Sequence, residues 1–193
     1  DFDEENVRKY YPLIADWLGV DEPDVEKLNY TRNVLPEQSY KRPPNVVIIF
    51  MESVGLNRMG LMGNPFNPTP VLDRLAGDGL YFTKFYVPWV STSRSVFTMV
   101  TGIPDVARFK TSSRNPLIHD QYSIISQFKD HDKYYMIGGS ASWANIRSLI
   151  TYNLKAMDLI ELEDFDWPRV DVWGISDLDL FREAHGRFSK RDS

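Results

Sequence analysis

The sequence of 193 residues contains no cysteine. That excludes disulfides, a cysteine nucleophile and thiolate metal sites. It leaves the compartment open, because a chain without thiols is indifferent to redox state. Long apolar runs are also missing. The longest, at 46–51, falls far short of the ~18 residues that cross a bilayer. There is no basic stripe or Lys/Arg run, so no nucleic-acid partner is expected. A basic leader is absent too: the chain opens Asp-Phe-Asp-Glu-Glu, the opposite of a signal-peptide start. The expectation is that Asp1 is an internal position of a longer protein. No internal repeat or low-complexity tract interrupts the sequence.

What is present is ordinary for a globular domain with a real core: 42% apolar residues, 25% charged residues and a formal net charge of −5. The acidic balance speaks to solubility more than to chemistry. The Asn29-Tyr30-Thr31 sequon is a pattern common by chance.

Residues 1–44 read as a tether or strap. Val7, Tyr10, Tyr11, Ile14 and Leu18 share one helical face, although Pro12 argues against a long helix. The core begins at Asn45. The β-branched run at 46–51, bounded by Pro43-Pro44 and Glu52-Ser53, suits a strand buried on both faces of a sheet. Thr69 is placed as an N-cap with Pro70 at the first helical position, and Gly77 and Gly79 end that helix. Residues 80–87 are rich in strand formers. Helices are expected at 95–100, 122–128, 143–152 and 177–184, and a short strand at 134–137. Strands alternating with helices imply an α/β fold, a mainly parallel sheet with helices on both faces, over residues 45–193.

In open α/β sheets, ligands bind beyond the carboxyl ends of the strands. That rule selects Glu52 after the first strand, residues 88–93 after the second, and the Gly138-Gly139-Ser140-Ala141-Ser142-Trp143 turn after the third. Thr92 stands at a helix start, where backbone N–H groups favour an anion. Its hydroxyl needs a base or a hard cation to become a nucleophile, and Glu52 is the nearest carboxylate by this logic. On spacing alone, a helix cap is the plainer reading of Thr92, a solvated carboxylate of Glu52 and a core residue of Trp143. Arg94, Arg114 and Arg147 are of a type that binds phosphate. His119, His131 and His185 lack metal-ligand spacing and read as structural or surface groups.

Three blocks then carry a resemblance. Asn-Val-Val-Ile-Ile-Phe-Met-Glu-Ser at 45–53 resembles the opening strand of the sulfatase-like branch of the alkaline phosphatase superfamily, and its Met-Glu-Ser ending resembles lipoteichoic-acid-synthase-like phosphoglycerol transferases. Thr-Pro-Val-Leu-Asp-Arg-Leu at 69–75, with Gly-Leu-Tyr-Phe-Thr-Lys-Phe-Tyr at 79–86, is similar to that branch's next block. Ser-Thr-Ser-Arg-Ser-Val-Phe-Thr-Met-Val-Thr-Gly at 91–102 is similar to its nucleophile helix. The blocks follow in family order and together cover roughly 45–186.

The resemblance implies that Thr92 is the nucleophile and a metal ligand, that Glu52 is a metal ligand, and that Trp143 lines a glycerol-phosphate pocket. Asn145 falls where such enzymes can carry a substrate-binding arginine, and Arg94 joins the substrate-binding set. In the sulfatase motif C/S-x-P-x-R, Thr92 occupies the first position, Arg94 replaces the proline and Val96 the arginine. Formylglycine chemistry is therefore not expected. The implied activity is transfer of a phosphoglycerol or phosphoethanolamine head group through phosphothreonine, with one Mn²⁺ or Mg²⁺ ion, Zn²⁺ being a further candidate. The alternatives are a sulfatase-like hydrolase (phosphodiesterase or sulfuric ester hydrolase) and a catalytically incomplete binding domain. The family's Asp-His pair lies near a later strand, and His119-Asp120 and Asp130-His131-Asp132 fall too early in the chain to match it, so the chain is expected to hold about half of the metal site and to be inactive alone. The implied partner is a lipid head group. Membrane contact would run through other parts of the parent, whose catalytic domain would face the periplasm or the exterior of a bacterial cell. A half-domain with open sheet edges could also dimerise.

Overall fold

A computed structural model describes residues 3–35, 40–41, 43–87, 89–105 and 119–189. The chain divides into two units, residues 1–47 and 48–193.

The first unit is built on helix α1, Glu4–Leu18. Asp3 caps its start by accepting from the Asn6 N–H, and Gly19 closes it in the left-handed conformation (φ 65°). Pro12 lies inside the helix and does not end it. Of the apolar face read from the sequence, only Tyr11 is fully buried; its companion is Ala15 rather than Ile14 or Leu18. The Tyr11 hydroxyl accepts from the Asp24 N–H at 2.8 Å and donates to the Asn29 carbonyl. Tyr30 meets the same ring edge-on at 5.1 Å. Arg8 donates to the carbonyls of Val25 and Glu26. Residues 20–30 are thus folded back on α1 by polar contacts, giving this segment a small structure of its own.

The second unit holds helices α2 (Pro70–Asp78), α3 (Thr92–Thr101), α4 (Ile146–Asn153) and α5 (Asp177–Ser189), with strands β1 (Lys133–Met136) and β2 (Met157–Ile160). β1 and β2 pair in parallel, Lys133 opposite Met157 through Met136 opposite Ile160. α4 is their crossover, so this is a βαβ unit. The main core joins α3 and α4 through Val96, Phe97, Val100, Ile146, Leu149, Ile150 and Leu154, with Tyr135 and Met157 packed against it. A second core under the far side of β2 gathers Ile160, Phe165 and Ile175. Burying a large aliphatic side chain contributes about 1.5–3 kcal/mol, so these two cores fix the βαβ unit and the two helices around it.

The α/β class stands, but several expected elements take other forms. Among the described residues the sheet has two strands. The runs at 46–51 and 80–87 form no ladder, and Ile48 and Phe82 are 60% and 64% exposed. A strand that is apolar on both faces needs neighbours on both edges and cover above and below. The sequence shows its preference; the described residues do not supply those partners. The helix expected at 122–128 is a single 3₁₀ turn, Ile124–Gln127. It starts at buried Ser123, whose hydroxyl donates to the Val100 carbonyl at 2.5 Å. Thr69 does precede α2, but its hydroxyl accepts from the Gly60 N–H and donates to Asp73 instead of capping a helical N–H. Gly77 lies within α2, which ends at Gly79. The helix expected from Trp143 is broken at Ala144 (φ 50°) and Asn145 (φ 58°) into a 3₁₀ turn and α4. α5 runs past Ala184 to Ser189, and the Ser176 hydroxyl caps it by accepting from the Asp179 N–H.

Candidate active site

α3 runs Thr92–Thr101, starting at the expected Thr92 helix start and three residues before the helix expected at 95–100. Ser91 is extended (φ −146°, ψ 127°), Thr92 is the first helical residue, and Gly102 ends the helix in the left-handed conformation. Ser93, Arg94, Ser95, Val96 and Phe97 are all buried. The first turn is therefore clamped on its inner faces while Thr92 stays half-buried at the rim. Glu52 follows the apolar run and is exposed. Its Oε1 accepts a hydrogen bond of 2.9 Å from the Thr92 hydroxyl, across forty residues of sequence. Ser53, immediately after Glu52, holds φ 58°, an uncommon conformation for a residue with a Cβ. It turns the chain sharply at the carboxylate. The two residues selected from sequence as ligand and nucleophile are thus in direct contact.

Beneath them, Tyr135 of β1 feels the same carboxylate. Burial, and next the negative charge of Glu52, push its phenol up to about 12. It stays a neutral O–H over the physiological range.

The other chosen residues fall in two places. The Trp143–Asn145 turn lies against α3. Trp143 is 41% exposed and meets Trp173 edge-to-face, centroids 5.8 Å apart. Asn145 stands at the start of α4, where its Oδ1 accepts from the Ser148 hydroxyl at 2.8 Å. That contact is a helix-start role, which a substrate contact would have to share. Arg94, expected to meet substrate, is turned inward. Its side chain is 5% exposed, its Nε lies 3.7 Å from an Asp105 carboxylate oxygen, and its guanidinium sits 4.9 Å from the centre of the Trp89 ring. The helical period explains this: Thr92 and Arg94 are ~200° apart around α3, so one at the rim puts the other in the core. Arg94 therefore anchors the first turn that presents Thr92.

Arg147 is half exposed and pairs with Glu161 at 2.5 Å. Arg114 lies outside the described residues. His119 stacks on Tyr152, His131 packs edge-on to Phe128, and His185 lies beside Ser189 on α5.

Sequence reasoning missed Glu161. Its carboxylate is buried at the end of β2 and accepts the Ala141 N–H at 2.8 Å as well as the Arg147 guanidinium. The Asp164 side chain in turn accepts from the Glu161 N–H. One acid thus ties β2 to the turn that carries Trp143. The rule that pointed to strand ends would have found it had residues 157–160, Met-Asp-Leu-Ile, been read as a strand. Trp173 was passed over because it lies in no periodic segment.

Comparison with known proteins identifies the class to which this arrangement belongs. The sulfatase family model matches residues 44–190. The chain belongs to the sulfatase family. Its fold resembles that of an alkaline phosphatase superfamily protein from Vibrio parahaemolyticus, with TM-score 0.62 and 25% identity over 72% of this chain and 34% of that one. Human arylsulfatase A is 46% identical over 61 residues, which is 32% of this chain and 12% of that protein. The N-acetylgalactosamine-6-sulfatase of Canis lupus familiaris is 36% identical over 77 residues, 38% of this chain and 14% of that protein. The matched stretches are therefore about an eighth of the length of these curated relatives.

Proposed function

We propose that the parent protein is a sulfatase-family hydrolase that cleaves anionic esters with Thr92 as the attacking hydroxyl, and that phosphodiesters are its preferred substrates. The observation that carries this reading is the 2.9 Å hydrogen bond from Thr92 to Glu52 at the N-terminus of α3. The named sulfatase relatives support hydrolysis, with water as final acceptor. The residue itself supports phosphorus as the reacting centre. Formylglycine arises from an unbranched Cβ, and the methyl group on the threonine Cβ blocks an aldehyde there.

Glu52 and Thr92 are hard oxygen donors of the type that Mg²⁺ and Mn²⁺ take. Among the described residues no group of three His, Asp or Glu side chains gathers, so these two would be part of a larger ligand set. When bound, such an ion would lower the pKa of the Thr92 hydroxyl and offset charge on the phosphoryl oxygens. The chain's own groups do the rest. Glu52 accepts the Thr92 proton's hydrogen bond and so orients the Oγ1 lone pairs. The N-terminus of α3 at Thr92 carries the partial positive charge of a helix start, which favours an anionic oxygen. Attack of Oγ1 on phosphorus forms a P–O bond to Thr92 and breaks the P–O bond to the leaving alcohol, which takes up the proton that Thr92 gives along its hydrogen bond to Glu52. Water then cleaves the threonine-linked phosphodiester, restoring the Thr92 hydroxyl and releasing the phosphomonoester.

A second reading is favoured by the Met-Glu-Ser ending and by Thr92: an alcohol in place of water, making the parent a lipoteichoic-acid-synthase-like head-group transferase at a bacterial membrane. The test uses the full-length parent on bis(p-nitrophenyl) phosphate, p-nitrophenyl sulfate and phosphatidylglycerol vesicles with added glycerol. Thr92→Ala is expected to lower diester turnover about 10³-fold or more, and Glu52→Gln about 10²-fold. A Thr92-linked p-nitrophenyl phosphodiester should be trapped in wild type. Sulfate-ester turnover that survives Thr92→Ala would remove the phosphoryl reading. Glycerol-dependent product would move the assignment to transfer.

A further inference from the structure

The large apolar side chain beside Trp143 that no role yet explains is Trp173. It is 65% exposed and stands edge-to-face with Trp143, itself 41% exposed, at an interplanar angle of 85°. Two indoles left in water side by side forfeit much burial, yet the loop holding Trp173 is tightly fixed. The Trp173 N–H donates to the Asp171 side chain at 2.7 Å. Arg169 donates to the carbonyls of Asp171 and Val172 at 2.7 and 2.8 Å. Behind the ring, Ile175 N–H donates to the Gly138 carbonyl at 3.0 Å. Backbone meets backbone there: a Cβ on Gly139 would overlap the Trp173 carbonyl oxygen, and one on Gly174 (φ 130°) would overlap that of Gly138. The partner turn is tied as well, since the Ala141 N–H ahead of Trp143 is held by Glu161 at the end of β2 and the turn lies against α3, whose first residue is Thr92.

An exposed right-angle pair of indoles on two backbone-tied turns is a corner suited to a flat ligand face. We infer that Trp173 is a substrate-contact residue, forming with Trp143 an aromatic corner for the ring-bearing organic group of the ester whose anionic centre meets Thr92. The recognised chemistry is a planar face of C–H or π character, which an aryl ring and a sugar ring both offer. This rests on the reaction proposed above.

The experiment compares three p-nitrophenyl phosphodiesters with the full-length parent, the second ester group being methyl, phenyl or glucosyl through its 6-hydroxyl. For Trp173→Ala, KM is expected to rise about tenfold for a ring-bearing diester with kcat within twofold, while the methyl diester is unchanged and Trp173→Phe keeps most of the preference. A phenyl-only or glucosyl-only effect identifies which ring is recognised. An equal loss on all three diesters, or no change on any, overturns the inference. If no diester is turned over, the reaction reading fails separately. The inference is then decided by indole N–H NMR signals of the same protein, titrated with phenyl, glucose 6- and methyl phosphate. Shifts of the Trp143 and Trp173 signals with a ring-bearing ester alone uphold it; shifts with all three or none overturn it.

Discussion

Replacing Glu161 by alanine removes the acceptor of a fully buried backbone donor and one half of an ion pair in the same step. The Ala141 N–H, on a residue with no exposed surface, bonds Glu161 Oε2 at 2.8 Å. Left without a partner, it costs about 1–3 kcal/mol. The Arg147 contact at 2.5 Å has one buried and one half-exposed member. Solvent screens it, so its loss adds only about 1 kcal/mol. The expected destabilisation is thus about 2–4 kcal/mol. Glu161→Gln keeps an acceptor for Ala141 and loses only the charge, so it should cost about 1 kcal/mol. Urea unfolding of the chain, followed by tryptophan emission, measures both. A double-mutant cycle with Arg147→Ala isolates the ion pair. If alanine and glutamine cost the same, the Ala141 hydrogen bond is not what Glu161 contributes. If both cost under about 0.5 kcal/mol, the account of Glu161 as the tie between β2 and the Trp143 turn is wrong.

Tyr135 gives a pH prediction. Its folded pKa, about 12, lies above the ordinary 10, so the unfolded chain loses this proton first and stability falls as pH rises from about 10 to 12. The loss approaches roughly 2–3 kcal/mol at its upper end, and Tyr135→Phe should remove that part of the slope in alkaline unfolding curves. Arg94→Met leaves Asp105 in the core without its guanidinium neighbour and should destabilise by about 3–5 kcal/mol. A thermal scan in which Arg94→Met matches wild type would return Arg94 to the list of surface substrate contacts. Gly139→Ala drives a Cβ into the Trp173 carbonyl. It should cost about 1–3 kcal/mol by overpacking and alter the near-UV circular dichroism of the Trp143–Trp173 pair; an unchanged spectrum and midpoint would mean that the two segments part at no cost.

The sequence was most legible where local signals agree. Thr69-Pro70 before α2, Thr92 and Gly102 bounding α3, and Asp177 opening α5 are residue types that favour helix ends, and each of these helices starts or stops there. It was least legible where structure depends on partners. The runs at 46–51 and 80–87 have strong strand composition, but a ladder requires a neighbour, and the described residues pair only β1 with β2. β2 itself was missed because Met-Asp-Leu-Ile is short and its alternation slight. The kink at Ala144 and Asn145 was hidden in a run that reads as one helix, since nothing in the composition of Ser-Trp-Ala-Asn demands two left-handed residues in succession.

For the site the same division holds, and it decides how far each residue can be trusted to its expected role. Glu52 and Thr92 were found by a rule about strand ends and helix starts, and the fold does bring them to 2.9 Å. Arg94 was chosen for its chemistry alone, and chemistry does not say which way a side chain points. Two positions along a helix is more than half a turn, so if Thr92 faces the rim, Arg94 must face Asp105 and Trp89. The charge that looked like a phosphate ligand instead holds the first turn of α3 against the core. A nucleophile at a helix N-terminus needs that turn fixed to well under an ångström if its hydroxyl is to stay aligned on an incoming ester. A buried guanidinium paired on one side and stacked on the other supplies that fixation more rigidly than an aliphatic side chain of equal size could. Arg94→Met should therefore lower kcat of the parent through misplacement of Thr92 even in conditions where the protein remains folded, whereas a variant that merely removed a substrate contact would raise KM.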